Sequence, residues 1–237
     1  MREEFSAVVA HDLRSPLQAM TVPLDALLRQ ARSGQVRTSV ATLERMRHAG
    51  ARLEHLIRDL LDAARIESDR LRVDPRPVAL PALAAALARQ IAPTIASHPI
   101  TVEVRGQPPP VRADPLRVEQ VLTNLVENAA KYSKDGSPIA LEIAQDGGGV
   151  AVSVADRGQG IAPEDLPRLF DRYYQTARAR KQRSGLGLGL YIAKGVAEAH
   201  GGQLTVESRP EVGSTFRLWL PADRGELAEG SEVTEPA

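Results

Sequence analysis

The sequence predicts an N-terminal all-α helical hairpin over residues 1–71, forming a four-helix bundle as a dimer, then an α+β two-layer sandwich over 72–221 and a disordered tail over 222–237. Three observations predict it. Apolar residues recur at spacings of three and four through the first part of the chain. Pro75, Pro77 and Pro81 then break that period. Beyond them, short alternating strands and helices are punctuated by glycine.

In the first helix, Val9, Leu13, Leu17, Met20, Leu24 and Leu27 form one apolar face. Pro16 should kink or loosen this helix, because it removes a backbone donor and crowds the preceding turn. Arg32-Ser33-Gly34-Gln35 ends it, with Gly34 suited to the left-handed turn. In the second helix, Leu43, Met46, Gly50, Leu53, Ile57, Leu60 and Ala64 alternate spacings of three and four, a heptad seam. A hairpin with such seams cannot bury both apolar faces alone, so a homodimer is expected.

After the extended stretch from Arg72 to about Leu80, a helix is expected over Pro81 to Ser97 and a strand over Ile100 to Val104. A helix follows from Asp114, an N-cap with Pro115 at the first helical position, to about Tyr132. Strands over 139–144 and 150–155 flank an Asp-Gly-Gly-Gly turn. A helix over 188–200 stops at Gly201-Gly202, and strands near 203–208 and 215–220 complete the layer. The tail holds almost nothing apolar, so it is expected to stay solvated.

Composition narrows the function. Thirty basic residues balance thirty acidic ones, so no net field draws the whole chain onto nucleic acid or anionic lipid. The absence of cysteine excludes disulfides, thiolate metal sites and cysteine nucleophiles. No apolar run reaches the roughly 18 residues of a spanning helix, so a soluble, cytoplasmic segment without direct membrane contact is expected.

Four stretches carry candidate chemistry. His11 stands on a polar spoke of the first helix beside Asp12, where a carboxylate can hold the imidazole in its nucleophilic tautomer. A solvated surface histidine has the same pattern. Asn124 and Asn128 lie one helical turn apart, with Lys131 and Tyr132 a turn further along. They suit either a solvated helix face or the shell of a Mg²⁺ that keeps phosphate and water ligands. Asp156-Arg157-Gly158-Gln159-Gly160-Ile161 follows a strand; it is either an ordinary tight turn or an acid placed to accept from an exocyclic amino group. Gly185-Leu186-Gly187-Leu188-Gly189-Leu190 enters a helix behind Arg178, Arg180, Lys181 and Arg183. Such glycines expose N–H groups to phosphate, or form a hinge. Neither the P-loop nor the dinucleotide spacing is present.

Taken together and in order, these stretches resemble the catalytic core of a two-component sensor histidine kinase over about residues 3–221. Residues 5–17 resemble its phosphoacceptor box, 124–132 its N box, 156–161 and 185–190 its two glycine boxes, and 169–174 its F box. Gly213-Ser214-Thr215-Phe216 is similar to the closing motif, whose hydroxyl sits beside the adenine-reading acid.

The resemblance implies a dimerisation and phosphotransfer hairpin followed by an ATP-binding sandwich of the gyrase, chaperone, histidine kinase and mismatch-repair type. It implies that ATP phosphorylates His11, with Asp12 as base or orienting partner, and that the phosphoryl group passes to an aspartate of a response-regulator receiver domain. On this pattern Asp156 reads adenine with Gly158, Gly160, Ile161 and Ser214 around it. Asn128 holds Mg²⁺ with Asn124 close by. Lys131, Tyr132, Arg183, Gly185, Gly187, Leu188, Gly189 and Leu190 hold the nucleotide and its phosphates, and Tyr173 to Ser184 is the lid.

Where the superfamily's ATP hydrolases have a water-activating glutamate, this chain has Asn124. An amide cannot take that proton, so transfer is expected rather than hydrolysis. Glu127 projects about 60° away from the Asn124 face. Gln175 stands where relatives carry an arginine, so a phosphate contact is missing or supplied by Arg178, Arg180 or Arg183. Ser15, where phosphatase-competent relatives have threonine or asparagine, could still position a water. A degenerate nucleotide-binding dimeric adaptor is the alternative function. With ten residues before His11, the chain is expected to be part of a longer sensor, whose parent could be membrane-tethered.

Overall fold

The computed structural model describes residues 2–32, 37–181 and 185–223, without the side chains of residues 2–8, 11 and 181. The expected connection at 33–35, Arg183 and the tail from residue 224 lie outside the described residues, whereas Ala222 and Asp223, expected in the disordered tail, are tied down by their N–H groups to the Gly148 and Pro110 carbonyls. The described chain forms two compact units: residues up to Leu71 together with Pro167–Ile192, and Arg72–Leu166 together with the chain from Ala193 onward.

In the first unit, helix α1 (Arg2–Arg32) and helix α2 (Val40–Glu67) form the expected hairpin. Ser39 caps α2 by accepting from the Thr42 N–H. Helix α1 runs unbroken through Pro16 and Pro23, so Pro16 removes one backbone bond without ending the helix. Gly50 of α2 faces α1 across Met20, where a Cβ would meet the Met20 sulfur at 3.5 Å, an ordinary contact distance. Much of the apolar face is left uncovered by the chain's own packing, with Leu17 and Leu43 each 48% exposed and Ile57 46%.

The second unit carries strand β1 (Arg76–Val78), helix α3 (Leu80–Ile91), strand β2 (Ile100–Arg105), strand β3 (Val111–Ala113), helix α4 (Pro115–Tyr132), strand β4 (Ile139–Asp146) and strand β5 (Gly149–Ala155). A 3₁₀ turn (Leu166–Arg168) and helix α5 (Ala177–Lys181) follow in the chain, α5 lying in the stretch that belongs to the first unit. Helix α6 (Gly189–Ala199), strand β6 (Gln203–Arg209) and strand β7 (Gly213–Pro221) complete the described chain.

Five strands form one mixed sheet in the order β2-β4-β5-β7-β6, parallel between β2 and β4 and antiparallel elsewhere. Alternation decides its buried face: Ile139, Leu141 and Ile143 of β4, Val152 and Val154 of β5, and Phe216, Leu218 and Leu220 of β7 point into the core. Against that face α4 buries Val118, Val121, Leu122, Leu125, Val126 and Ala129.

Two local differences from expectation have physical causes. Helix α3 stops at Ile91 rather than Ser97, because Pro93 has no N–H to continue the ladder and Thr94 turns its hydroxyl onto the Ile91 carbonyl at 2.7 Å. Strands β1 and β3, absent from the sequence reading, pair antiparallel with Arg76 opposite Ala113. At three residues each and flanked by proline, they are too short to show alternation.

Candidate active site

In the second unit, α4 delivers the amide pair. Asp114 caps the helix, accepting from the N–H groups of Leu116 at 3.0 Å and Arg117 at 3.3 Å. Burial works to raise the Asp114 pKa, but the N–H groups of Asp74, Arg117 and Leu116 and the Arg117 charge together hold it below its ordinary value. The cap residue's own N–H is held from behind by a buried histidine: it donates to His200 Nε2 at 2.9 Å, while His200 Nδ1 donates to the Val196 carbonyl at 2.7 Å. The start of α4 is thereby fixed to the end of α6.

Asn124 and Asn128 flank the buried stripe of α4 and are both part-buried. Asn128 Nδ2 donates to Asn124 Oδ1 at 3.3 Å, which leaves the Asn128 oxygen as the outward acceptor. Asn124 Nδ2 is buried and has no partner among the described residues. A buried orphan donor costs about 1–3 kcal/mol, which suits a position completed by an anionic oxygen or a water. Lys131 extends over the Tyr132 ring, 5.4 Å from its centroid.

The Asp156 turn packs on the last turn of α4. Gln159 N–H donates to the Tyr132 carbonyl at 3.2 Å, and Ser133 bridges Gly158. Glycine is required here by close approach: a Cβ on Gly158 would lie 2.5 Å from the Tyr132 oxygen, and one on Gly160, at φ +66°, 2.0 Å from the Arg209 oxygen. Asp156 Oδ1 accepts from Gly158 N–H at 2.7 Å and from Ser214 N–H at 3.3 Å. Its second oxygen has no donor among the described residues. Burial raises the Asp156 pKa above its ordinary value of 3.8, although those two N–H groups pull it down.

The closing motif differs from expectation in one contact. The backbone N–H of Ser214 meets Asp156, whereas its hydroxyl lies 2.9 Å from the hydroxyl of Ser208. Ser208 of β6 also accepts from Ile161 N–H at 2.8 Å and donates to the Gly213 carbonyl at 3.0 Å. Neither Ser208 nor His200 was legible as part of this site. Their partners are up to 86 residues away, and neither stands in a local motif.

In the first unit, α1 carries His11 and Asp12 side by side and Ser15 one turn after His11, with Asp12 part-buried and Ser15 exposed. The F-box segment of this unit holds the second glycine run. Tyr173, at φ +65°, donates its N–H to the Gly187 carbonyl at 3.0 Å. Gly187, at φ +68°, has the Tyr174 oxygen 2.6 Å from where its Cβ would lie. Gln175, standing where relatives carry arginine, donates to the Gly185 carbonyl and so acts on the backbone of the run. Arg172 pairs with Glu67 at the end of α2 and stacks on the Tyr173 ring at 4.5 Å. Leu188 is buried; Gly189 and Leu190 open α6.

Among the described residues, no cluster of three or more His, Asp or Glu side chains could hold a metal by itself. A cation at α4 would therefore rest on the Asn128 amide oxygen together with substrate oxygens and water. That donor set suits Mg²⁺, a hard ion that keeps several waters. No helix among the described residues is long and apolar enough to cross a membrane.

Comparison with known proteins agrees with this arrangement. Residues 1–69 match the His Kinase A (phospho-acceptor) domain, and residues 113–224 match the histidine kinase-, DNA gyrase B-, and HSP90-like ATPase domain. The chain is 31% identical over 223 residues to the circadian input-output histidine kinase CikA of Synechococcus elongatus, covering 92% of this chain and 30% of that protein. It is also similar to the solved structure of full-length ShkA in complex with AMPPNP, with TM-score 0.66 and 28% identity over 92% of this chain and 45% of that one. The fold is shared with the histidine kinase ThkA in its complex with the response regulator protein TrrA, with TM-score 0.63 and 23% identity over 93% and 61%. The chain spans 30% to 60% of the length of the first curated relatives it matches. With both of the family's domains in the family's order, and with the hairpin and mixed-sheet sandwich of its solved members, the chain belongs to the sensor histidine kinases, as a catalytic core.

Proposed function

We propose that this chain transfers the γ-phosphoryl group of ATP to His11 and then to an aspartate of a response-regulator receiver domain. The observation that carries the reading is Asp156. One of its oxygens is fixed by two backbone N–H groups and the other is open, and it stands at the end of the helix that bears Asn124 and Asn128. An open, pre-oriented acceptor suits the exocyclic amino group of adenine. In the first unit the glycine-run N–H groups at Gly185, Gly187 and Gly189 and the start of α6 suit phosphates, to which Arg183 would add charge; in the second unit the Lys131 ammonium suits the same kind of group.

In this mechanism an imidazole nitrogen of His11 forms the N–P bond as the bond from the γ-phosphorus to its bridging oxygen breaks, and ADP leaves. The remaining imidazole N–H proton passes to Asp12. Asn128, supported by Asn124, would hold Mg²⁺, which when bound offsets phosphate charge. The amide at 124 cannot serve as a general base toward water, which directs the phosphoryl group to the histidine. A carboxylate oxygen of the receiver aspartate then takes the phosphoryl group as the N–P bond breaks.

The domain division belongs to the same proposal: 1–71 for dimerisation and phosphotransfer, and 72–221 for ATP binding. The homodimer would cover the apolar faces that α1 and α2 leave exposed. A cytoplasmic site of action follows from the proposed donor, and Ser15 would position a water for a phosphatase reaction on the regulator.

Incubation with γ-labelled ATP and Mg²⁺ tests the reading. Acid-labile label on the protein, absent in His11→Ala, is the expected result. Steady phosphate release without labelled protein would make the chain a hydrolase. Nucleotide binding with neither outcome would make it a signalling adaptor.

A further inference from the structure

Residues 173–175 meet the second glycine run through two carbonyls of alternate residues. The Gln175 side chain donates from Nε2 to the Gly185 carbonyl, and the Tyr173 N–H donates to the Gly187 carbonyl at 3.0 Å. Two peptide units of the run, 185–186 and 187–188, therefore have their oxygens turned onto the same short segment. In a trans peptide the N–H lies opposite the C=O. Fixing each oxygen on residues 173–175 thus aims the Leu186 and Leu188 N–H groups away from them, toward the other side of the run.

The packing holds this arrangement in place. Gly185 sits at φ +92° and Gly187 at φ +68°, where side chains are disfavoured. A Cβ on Gly187 would lie 2.6 Å from the Tyr174 oxygen and 3.1 Å from Gln175 Cγ, so the run rests directly on the Gln175 stem. The Leu186 and Leu188 side chains are buried, which anchors the two residues that carry the aimed N–H groups. Neither N–H has a hydrogen-bond partner among the described residues. Two N–H groups bracketing a left-handed glycine make a concave donor pair suited to anionic oxygens.

We propose that Gln175 is a positioning residue for the phosphate chain of ATP: by holding the Gly185 carbonyl it presets the Leu186 N–H, beside that of Leu188, as a donor pair for phosphate oxygens. The proposal rests on the reading of this run as a phosphate-binding segment and narrows it to two donors of fixed direction. Without the Gln175 amide the 185–186 peptide is free to rotate, because Gly185 has no Cβ to restrain it. Its N–H must then be ordered on binding, which lowers affinity for the phosphates and leaves the nucleoside unaffected.

The test uses the full chain, with ATP and adenosine affinities measured by calorimetry and the leucine amide resonances followed during titration with a non-hydrolysable ATP analogue. In the wild type the analogue should shift both the Leu186 and the Leu188 amide. Gln175→Met has the same length and no hydrogen to donate. It should weaken ATP about tenfold and adenosine less than about twofold, and it should abolish the Leu186 response while the Leu188 response, whose tie is the Tyr173 backbone, persists. If Gln175→Met does not fold by thermal melting, Gln175→Asn, too short to reach the carbonyl, should give the same result. Unchanged ATP affinity in the folded variant, weaker ATP binding with the Leu186 response intact, or loss of both amide responses overturns the proposal while leaving the phosphate reading of the run in place. A wild type in which ATP analogue binds but moves neither amide overturns that reading and the proposal with it.

Discussion

Asn128 Nδ2 donates to Asn124 Oδ1 across one turn of α4, and this single bond decides which atom of each amide is left to a ligand. Asn128 presents an oxygen and Asn124 an N–H. The two are therefore not equivalent, although they read alike in sequence. Asn128→Ala should abolish the Mg²⁺ dependence of ATP-analogue binding, lowering affinity in Mg²⁺ by about 100-fold. Asn124→Ala, acting through its neighbour, should cost about tenfold. Calorimetric titrations with and without Mg²⁺ check this, and an undiminished Mg²⁺ effect in Asn128→Ala would remove the metal role.

Asp156 is held for binding at the expense of the empty fold. Burial, the largest cause, lifts its pKa above the unfolded value of 3.8. A raised pKa favours the protonated form, so the group supports folding below pH 3.8 and that support is lost as pH rises through the folded value. At pH 7 the ionised Asp156 therefore weakens the nucleotide-free fold. Asp156→Asn should raise the nucleotide-free Tm at pH 7, with the gain shrinking as pH falls through the folded value towards 3.8, while ATP affinity drops about 100-fold or more because the open acceptor becomes a donor. A Tm gain independent of pH would refute the linkage.

Gly213 opens β7 at φ +135°, and a Cβ there would lie 2.1 Å from the Asp156 carbonyl oxygen. Gly213→Ala should therefore destabilise the fold by about 2–4 kcal/mol, combining backbone strain with steric overlap. Urea unfolding measures it; a loss below about 0.5 kcal/mol would mean that the turn relaxes freely.

His200 serves the fold alone. Its two ring nitrogens are both used, one accepting from Asp114 N–H and one donating to Val196, and its side chain is buried. His200→Ala should cost about 2–4 kcal/mol by leaving the Asp114 N–H without its acceptor and opening a cavity. Chemical denaturation checks the magnitude. In cells, a chain stable enough to fold should still label at His11, which separates the two histidines by role.

Much of this protein is legible along the chain because its signals are local. The Asp114–Pro115 start of α4, the alternation in β4, β5 and β7, and the glycine stops depend on neighbours within a few residues, where backbone hydrogen bonds and side-chain periodicity act. Asn124, Asn128, Asp156 and the glycine runs were legible for the same reason. The tertiary structure alone decided the pairing of β1 with β3, the His200 support of the α4 cap, and the direction of each hydrogen bond around Asp156. Most of these contacts join segments 33 to 86 residues apart, and a hydroxyl or amide has no fixed donor direction until every partner around it is in place. Ser208 shows the difference. In sequence it is one serine in a strand, and only the tertiary structure brings Ile161, Gly213 and Ser214 together on its oxygen.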